Sequence, residues 1–323
     1  MNCGFLRGPV VNVLALNTAN VGDVVSSLVV AQALTRDIGP IDFCARPAFA
    51  SLFDSEPHYN YVDVPTVLSR TYDLVVDLDS STQSRKIVSG LRARRKVGRY
   101  KGWLRRLKML WTYSNLVPKF SKDHIVRDYY PVLKVLGYPE GGRPELNARP
   151  NPEVSQFMKS SRGSSGQGIL IHFGAHNPIR RLPDEWLGPY ILKCRDAGIG
   201  VVLSYTPSDD IESLVALCDN YPRYRPLNLD ELKSALVESD LFVAADSGPL
   251  HIATALNVKS LGFYGPTLAR NYGLIGDTVI PLEKDFVCRP CNQNKPCPYS
   301  RRCLMTYTPE EVFSHTRAAL ESV

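Results

Sequence analysis

A carboxylate set just past the end of a buried strand can take a proton from a substrate, and Asp23 has that setting. It closes the run Asn20-Val21-Gly22-Asp23, which follows the apolar stretch Val10–Leu16. In open α/β sheets, ligands bind in the crevice outside the carboxyl ends of the strands. Gly22 allows a tight backbone turn there, and Asp23 would face the crevice from the mouth of the next helix. The same aspartate could instead cap that helix by accepting from its free amides.

Two further segments suit a phosphate. Ala245-Asp246-Ser247-Gly248-Pro249-Leu250-His251 reads as a strand end, a glycine turn and a helix start. Free N–H groups at such a helix terminus attract anions. Gly248 lets a phosphate approach the backbone, Ser247 offers a hydroxyl, and His251 lies one turn into the helix. The third segment runs from His172 through Gly174 to Arg180 and Arg181. A glycine-containing loop followed by two guanidinium forks fits a diphosphate. An ordinary capped helix and a pair of surface arginines are the plainer readings. Neither segment is a G-x-G-x-x-G fingerprint or a P-loop.

Four thiols form another set: Cys288-x2-Cys291-x5-Cys297-x5-Cys303. Clustered thiols that include a C-x-x-C pair suit tetrahedral coordination of a soft ion, zinc or iron. Four reduced thiols in a compact loop are the alternative. Cys3, Cys44, Cys194 and Cys218 are scattered and fit buried free thiols.

The elements that must hold these groups alternate along the chain. Val10–Leu16, Ile41–Cys44 and Leu74–Asp79 read as strands; Val21–Asp37, Gln83–Leu91 and Asp123–Leu136 read as helices. The composition turns Gly-, Ser- and Pro-rich between Pro139 and Gly168, which marks a boundary near residues 150–165. The alternation then restarts with strands at 168–172, 200–205, 241–246 and 261–265. Helices are expected at 184–197, 209–220, 229–238 and from Pro249, with a last one over 308–320 opened by a Thr308/Glu311 capping box. Repeated strand–helix units predict parallel sheets with helices on both faces, and two such sets predict two doubly wound α/β domains facing a cleft. The expected division is an N-terminal domain over 1–155, a C-terminal domain with the cysteines over 156–306, and a closing helix over 307–323.

The 323 residues carry a net charge of +6. Much of the excess sits in Arg92, Arg94, Arg95, Lys96, Arg99, Lys101, Arg105, Arg106 and Lys108, with Trp103 and Trp111 interleaved. Such a cluster favours an anionic partner, although a solvated helix face would look the same. No run approaches the ~18 apolar residues of a membrane span, and the N-terminal stretch fits a buried strand better than a signal peptide. The expected location is therefore the cytoplasm.

Over nearly its whole length the chain resembles glycosyltransferase family 9, the ADP-heptose:lipopolysaccharide heptosyltransferases. NVGDVVSSLVVAQAL is similar to the family's opening Gly-Asp helix, and YDLVVDLDSSTQSRKIVSGLRARRKVGRY to its Y-D-L-V-I-D-L-Q segment. HFGAHNPIRRLPDEW resembles H-P-G-A…K-x-W-P-x-x-W. The stretch from Ser239 to Thr267 resembles A-D-L-V-V-G-x-D-T-G-x-x-H…F-G-P-T over many positions.

The resemblance implies the GT-B fold of two Rossmann-like domains and an inverting transfer from a nucleotide-diphosphate sugar, ADP-heptose, to an anionic lipopolysaccharide-core-type acceptor. It makes Asp23 the general base. Arg180 falls at the family's phosphate-binding lysine, and Asp246, Ser247, Gly248 and His251 at its donor motif. Arg94, Arg95, Arg99 and Lys101 would meet the acceptor in the first domain, with a reversible inner-membrane contact following from it. No catalytic metal is expected, while related cysteine sets, and iron in one branch, give Cys288, Cys291, Cys297 and Cys303 a structural zinc or iron. Heptosylation of a protein, an idle sugar-nucleotide-binding module and, less favoured, a nucleic-acid binder are the competing readings. Arg180 for Lys, Ser247 for Thr, Leu182 for Trp and Asp79 for Gln are departures from the family pattern. They bear on which sugar is used.

Overall fold

The computed structural model describes residues 12–119, 124–206, 221–273, 275–291 and 297–322. Cys3, Cys218, the start of the Val10–Leu16 strand and the helix expected over 209–220 lie outside them. The chain divides into two compact units, Met1–Leu146 and Asn147–Val323.

The first unit runs β1 (Val13–Leu16), α1 (Val21–Ile38), β2 (Ile41–Cys44), β3 (Tyr59–Tyr61), α2 (Val64–Ser69), β4 (Thr71–Asp77) and α3 (Thr82–Gly90). It continues with β5 (Arg92–Tyr100), α4 (Trp103–Met109), β6 (Asn115–Pro118) and α5 (Tyr130–Leu136). Its six strands are parallel in the order β3-β2-β1-β4-β5-β6. The second unit runs α6 (Pro152–Ser160), β7 (Gly168–His172), α7 (Asp184–Asp196), β8 (Gly200–Ser204), β9 (Arg223–Tyr224), α8 (Leu229–Val237), β10 (Leu241–Ala245) and α9 (Gly248–Ala255). β11 (Ser260–Phe263), α10 (Ala269–Tyr272), β12 (Val279–Leu282), α11 (Arg302–Met305) and α12 (Pro309–Glu321) complete it. Its parallel order is β12-β11-β10-β7-β8-β9. Numbered within each unit, both sheets have the order 3-2-1-4-5-6, whose reversal point is the ligand crevice of doubly wound folds.

The central strands β1, β7 and β10 are buried at every residue. A strand covered by helices on both faces needs such unbroken apolar runs, and VLAL, GILIH and LFVAA supply them. In the second unit Trp186, Tyr190 and Phe263 anchor a core shared with Leu304 and Tyr307. Trp186 stacks on Phe263 at 5.1 Å between centroids, and its indole donates to the Leu304 carbonyl at 3.0 Å.

The boundary falls before the expected 155. α6 belongs to the second unit because Asn151 N–H donates to Ser234 and Ser155 donates to Glu238 at 2.5 Å. The last helix also belongs there. Its capping box of Thr308 and Glu311 is present, and Tyr190 and Thr316 share a 2.8 Å hydrogen bond that fixes it on α7. The helix expected from Asp123 begins only at Tyr130, preceded by a short 3-10 turn over Arg127–Tyr129. Pro131 sits in its first turn, where a missing N–H costs nothing.

The basic stretch differs most from expectation. Arg92–Tyr100 is an interior strand, not a helix face. Arg99 is 1% exposed. Its guanidinium donates to the Leu78 and Asp128 carbonyls, pairs with the Asp128 carboxylate at 2.8 Å and lies 4.1 Å from the Tyr129 ring centroid. Arg95 is buried and donates to Asn115 at 2.9 Å. These two expected acceptor contacts are thus internal struts, because strand alternation turns positions 95, 97 and 99 inward together. Arg94 and Lys101 remain exposed.

Candidate active site

In the first unit the crevice is built from the loops after β1 and β4, neighbours at the sheet's reversal point. Asn17 pins the first loop. Its amide donates to the Asp23 carbonyl at 3.1 Å and to Ser27 at 3.0 Å, and its oxygen accepts from Ala19 N–H. Thr18 donates to Asp79 at 2.6 Å, joining the two loops. Tyr129 donates to the Asp23 carbonyl at 3.3 Å.

The backbone of Asp23 is therefore held from two sides. Its half-buried carboxylate makes no hydrogen bond or ion pair among the described residues. The capping reading does not hold. Asn20 is the N-cap, and Asp23 is the third residue of α1 with no capping bond. Gly22 is helical and makes no turn, its carbonyl accepting from Ser26 at 2.7 Å. An acid at this position gains from the helix dipole.

Sequence reading missed two groups here. Lys119 is pushed below the usual lysine range by burial and by Arg99, with Asp128, Asp23 and Asp79 opposing. One cation thus shares the field of three carboxylates at this edge. Asp77 is buried, and burial first of all pushes it up to about 6, against hydrogen bonds from Tyr113, Ser80 and Ser84. It shapes the β4 loop by accepting from the Asp79 and Ser80 amides at 3.1 and 3.2 Å.

In the second unit the corresponding loops follow β7 and β10. Asp246 is 2% exposed and is the hub. Arg180 Nη1 lies 3.1 Å from its carboxylate and donates to its carbonyl at 3.3 Å. Thr267 donates to it at 2.7 Å, and His251 Nε2 lies 3.7 Å away. Burial alone would raise the Asp246 carboxyl, but His251, Arg180 and Thr267 outweigh it and hold it below the usual range. Asp246 thus lies between Arg180 and His251, where its carboxylate can orient both side chains.

Stability from this carboxylate is complete above the unfolded chain's value, about 3.9, and is lost as pH falls through the lower folded value. Urea unfolding between pH 6 and pH 2 should show that acid loss, reduced in Asp246→Asn.

Around this hub three buried polar atoms have no hydrogen-bond partner: Ser247 Oγ, His251 Nδ1 and Arg180 Nε. Ser247 is the N-cap of α9 yet makes no capping bond. Buried polar atoms without partners are costly and call for explanation. Ser247 and His251 belong to the N-cap and first turn of α9, and Arg180 reaches the Asp246 carbonyl just before it; free amides at a helix N-terminus favour an anion. Sequence reading treated Arg180 and Arg181 as a pair. The structure separates them: Arg181 packs over the Phe173 ring at 5.2 Å and lies 3.7 Å from Asp184. Leu182 is buried in the core of the second unit.

Arg289 was also missed. Its buried guanidinium donates to the carbonyls of Gly265, Lys284, Tyr264 and Thr267 and pairs with Glu283 at 3.1 Å. It holds the Gly265-Pro266-Thr267 loop that carries the Thr267 hydroxyl. Arg289→Met should cost on the order of 3 kcal/mol, since four carbonyls and a carboxylate lose one donor group. Urea unfolding measures it.

Cys288, Cys291, Cys297 and Cys303 line one cavity of about 360 Å³ together with Pro266 and Arg289. Burial pushes the Cys303 thiol up to about 11; Arg289 lowers it, and the other three thiols raise it. The thiols thus lie within each other's electrostatic reach. No group of three or more Cys, His, Asp or Glu side chains among the described residues is gathered as a ready metal site.

The sequence model of glycosyltransferase family 9 (heptosyltransferase) matches residues 65–301. The chain belongs to that family. Lipooligosaccharide heptosyltransferase 2 of Campylobacter jejuni is 31% identical over 206 residues, 63% of this chain and 56% of that protein. The match thus spans little more than half of that relative. Among solved structures, the family 9 glycosyltransferase of Veillonella parvula superposes with a TM-score of 0.80 at 18% identity, covering 97% of each chain. ADP-heptose heptosyltransferase II of E. coli gives 0.76 at 18% identity, covering 96% of this chain and 98% of that one. The fold of this family 9 chain is GT-B: two parallel six-stranded sheets with helices. Among the described residues no helix is long and apolar enough to cross a membrane.

Proposed function

We propose that the protein is an inverting heptosyltransferase that moves the sugar of a nucleotide-diphosphate heptose, ADP-heptose, onto a hydroxyl of an anionic lipopolysaccharide-core-type acceptor at the cytoplasmic side. The observation that carries the proposal is the trio of unpartnered buried atoms, Ser247 Oγ, His251 Nδ1 and Arg180 Nε, at the α9 N-terminus. A diphosphate supplies acceptors for Ser247 Oγ, Arg180 Nε and the free amides, and for His251 Nδ1 in the state in which that nitrogen carries the proton.

The reaction is a single displacement. Asp23 takes the proton of the acceptor hydroxyl as that oxygen bonds to the anomeric carbon from one face. The bond from the anomeric carbon to the diphosphate oxygen breaks on the other face, and the electron pair leaves with the diphosphate. Arg180 and the α9 amides stabilise the developing charge. His251 and Arg180 stay oriented because Asp246 remains ionised between them. Gly248, first residue of α9, has no side chain to keep a phosphate from the backbone. Arg94 and Lys101, both exposed, are assigned to the acceptor's anionic groups.

A thermal-shift screen against ADP-, UDP-, GDP- and CMP-sugars tests the donor assignment. A ligand at a hundredfold excess over Kd stabilises the native state by about 2.7 kcal/mol, and the ADP-sugar is expected to give the largest rise. No rise with any of the four would overturn the proposal. Product stereochemistry by NMR then separates inversion from retention.

The cysteine set is assigned a structural zinc or iron, held by Cys288, Cys291, Cys297 and Cys303. The soft thiols line one cavity and would have to draw together around such an ion, which would cross-link the segment before α12 and enter no chemical step. Elemental analysis of the purified protein should give about one ion per chain, and mutation of Cys291 and Cys297 to serine should remove it.

A further inference from the structure

The segment after β5 does not pack like the rest of the first unit. α4 and the residues flanking it expose Trp103 (69%), Leu104, Leu107, Leu110 and Trp111 (97%). Within the segment 101–111 only Met109 is buried. Two of the three tryptophans in the chain lie here, and the third, Trp186, is buried in the other unit. Exposing so much apolar surface is costly in water and usually marks a contact surface.

Charge identifies the partner. Arg105, Arg106 and Lys108 are exposed among these apolar side chains, and the Arg106 guanidinium lies 5.7 Å from the Tyr100 ring centroid. In the sequence, the stretch from Ser80 to Lys122 holds thirteen lysines and arginines and not one aspartate or glutamate. Outside it the chain has more acidic than basic side chains. The excess positive charge is thus concentrated around the exposed leucines and tryptophans. Tryptophan, leucine and clustered basic residues together are the composition of elements that lie in a bilayer interface. The leucines would gain nothing from a nucleic-acid backbone, and a purely ionic partner would not need them.

We propose that α4 and its flanks dock on an anionic lipid bilayer, with Trp103, Leu104, Leu107, Leu110 and Trp111 entering the interface and the surrounding cations meeting lipid phosphates. The contact is peripheral and reversible, and it weakens with salt. It stands apart from the transfer step. It would place the enzyme on the surface where a lipid-linked acceptor resides.

The test is flotation of the full chain with vesicles of phosphatidylcholine alone or with 30% phosphatidylglycerol, at low and high salt, alongside tryptophan fluorescence. Binding to the anionic vesicles with a blue shift of the emission is expected. Trp103→Ser with Trp111→Ser should weaken it at least tenfold, and each of Arg105→Gln, Arg106→Gln and Lys108→Gln about fivefold. These side chains are exposed, so the circular dichroism and melting point should stay those of the native chain. Transfer to a delipidated, soluble acceptor should be unchanged in the tryptophan variant, which separates this surface from the active site. The proposal is overturned by no vesicle binding, by binding indifferent to the tryptophans, by preference for RNA over vesicles, or by a native oligomer that breaks up in the tryptophan variant.

Discussion

Asp23→Asn should lower kcat by about 10²–10⁴-fold, the range expected for loss of a general base, and leave the donor Kd unchanged. Asparagine keeps the shape of the side chain but loses the negative charge, and with it the ability to accept a proton. The variant should fold normally, because the hydrogen bonds of Asn17 and Tyr129 to this residue reach its backbone carbonyl and not its carboxylate. Its stability should fall by no more than the helix-dipole contribution of one acid, about 0.3–1 kcal/mol, and its shift with ADP-sugar should match the native protein. Steady-state kinetics with a defined acceptor, beside a thermal shift, reads both quantities. Turnover near the native rate would place the base elsewhere, with Asp79 the next carboxylate at that edge of the sheet. No turnover in the native chain, with donor still bound, would favour a binding module.

Arg180→Met should have two effects of separate origin. The buried Asp246 carboxylate loses its main cation, leaving Thr267 and His251 to support it. Removing one partner of a buried pair is strongly destabilising. The remaining hydrogen bonds limit the cost here to about 2–3 kcal/mol, readable in urea. Catalysis should fall further, by about 10²–10³-fold at saturating donor, the scale of losing one group that stabilises charge in the transition state. Arg180→Lys should recover most of both. Arg180 meets Asp246 through the single nitrogen Nη1, so a single ammonium can replace the fork, and the family resemblance puts lysine at this position. If the lysine variant were as damaged as methionine, guanidinium geometry and not charge would be the requirement.

What could be read from the sequence follows from the physics of each element. β1, β7 and β10 were legible because strands covered on both faces must be apolar throughout. β5 was not: Arg92–Tyr100 carries five basic side chains, and its place inside the sheet depends on partners distant in sequence, Asp128 for Arg99 and Asn115 for Arg95. β3 and β9, at the sheet edges, span only three and two residues, too few for any periodicity to register.

The site shows the same division. Asp23 and the Asp246–His251 run stood out because each lies where a helix opens after a legible strand. The unequal roles of Arg180 and Arg181 could not be seen, since adjacent identical side chains differ only in which neighbour the fold brings to them. Thr267 and Arg289 act on Asp246 and its loop from 21 or more positions away, and no local pattern marks such contacts. The Gly-Pro-Thr match to the family was the only signal that could have drawn attention to Thr267.

The most direct measurement is a crystal structure of the protein soaked with ADP. The account predicts a diphosphate at the N-terminus of α9, with phosphate oxygens about 2.7–3.2 Å from Ser247 Oγ, His251 Nδ1, Arg180 Nε and the first amides of the helix. Nucleotide bound at another place, or a diphosphate that leaves those three atoms without partners, would contradict it.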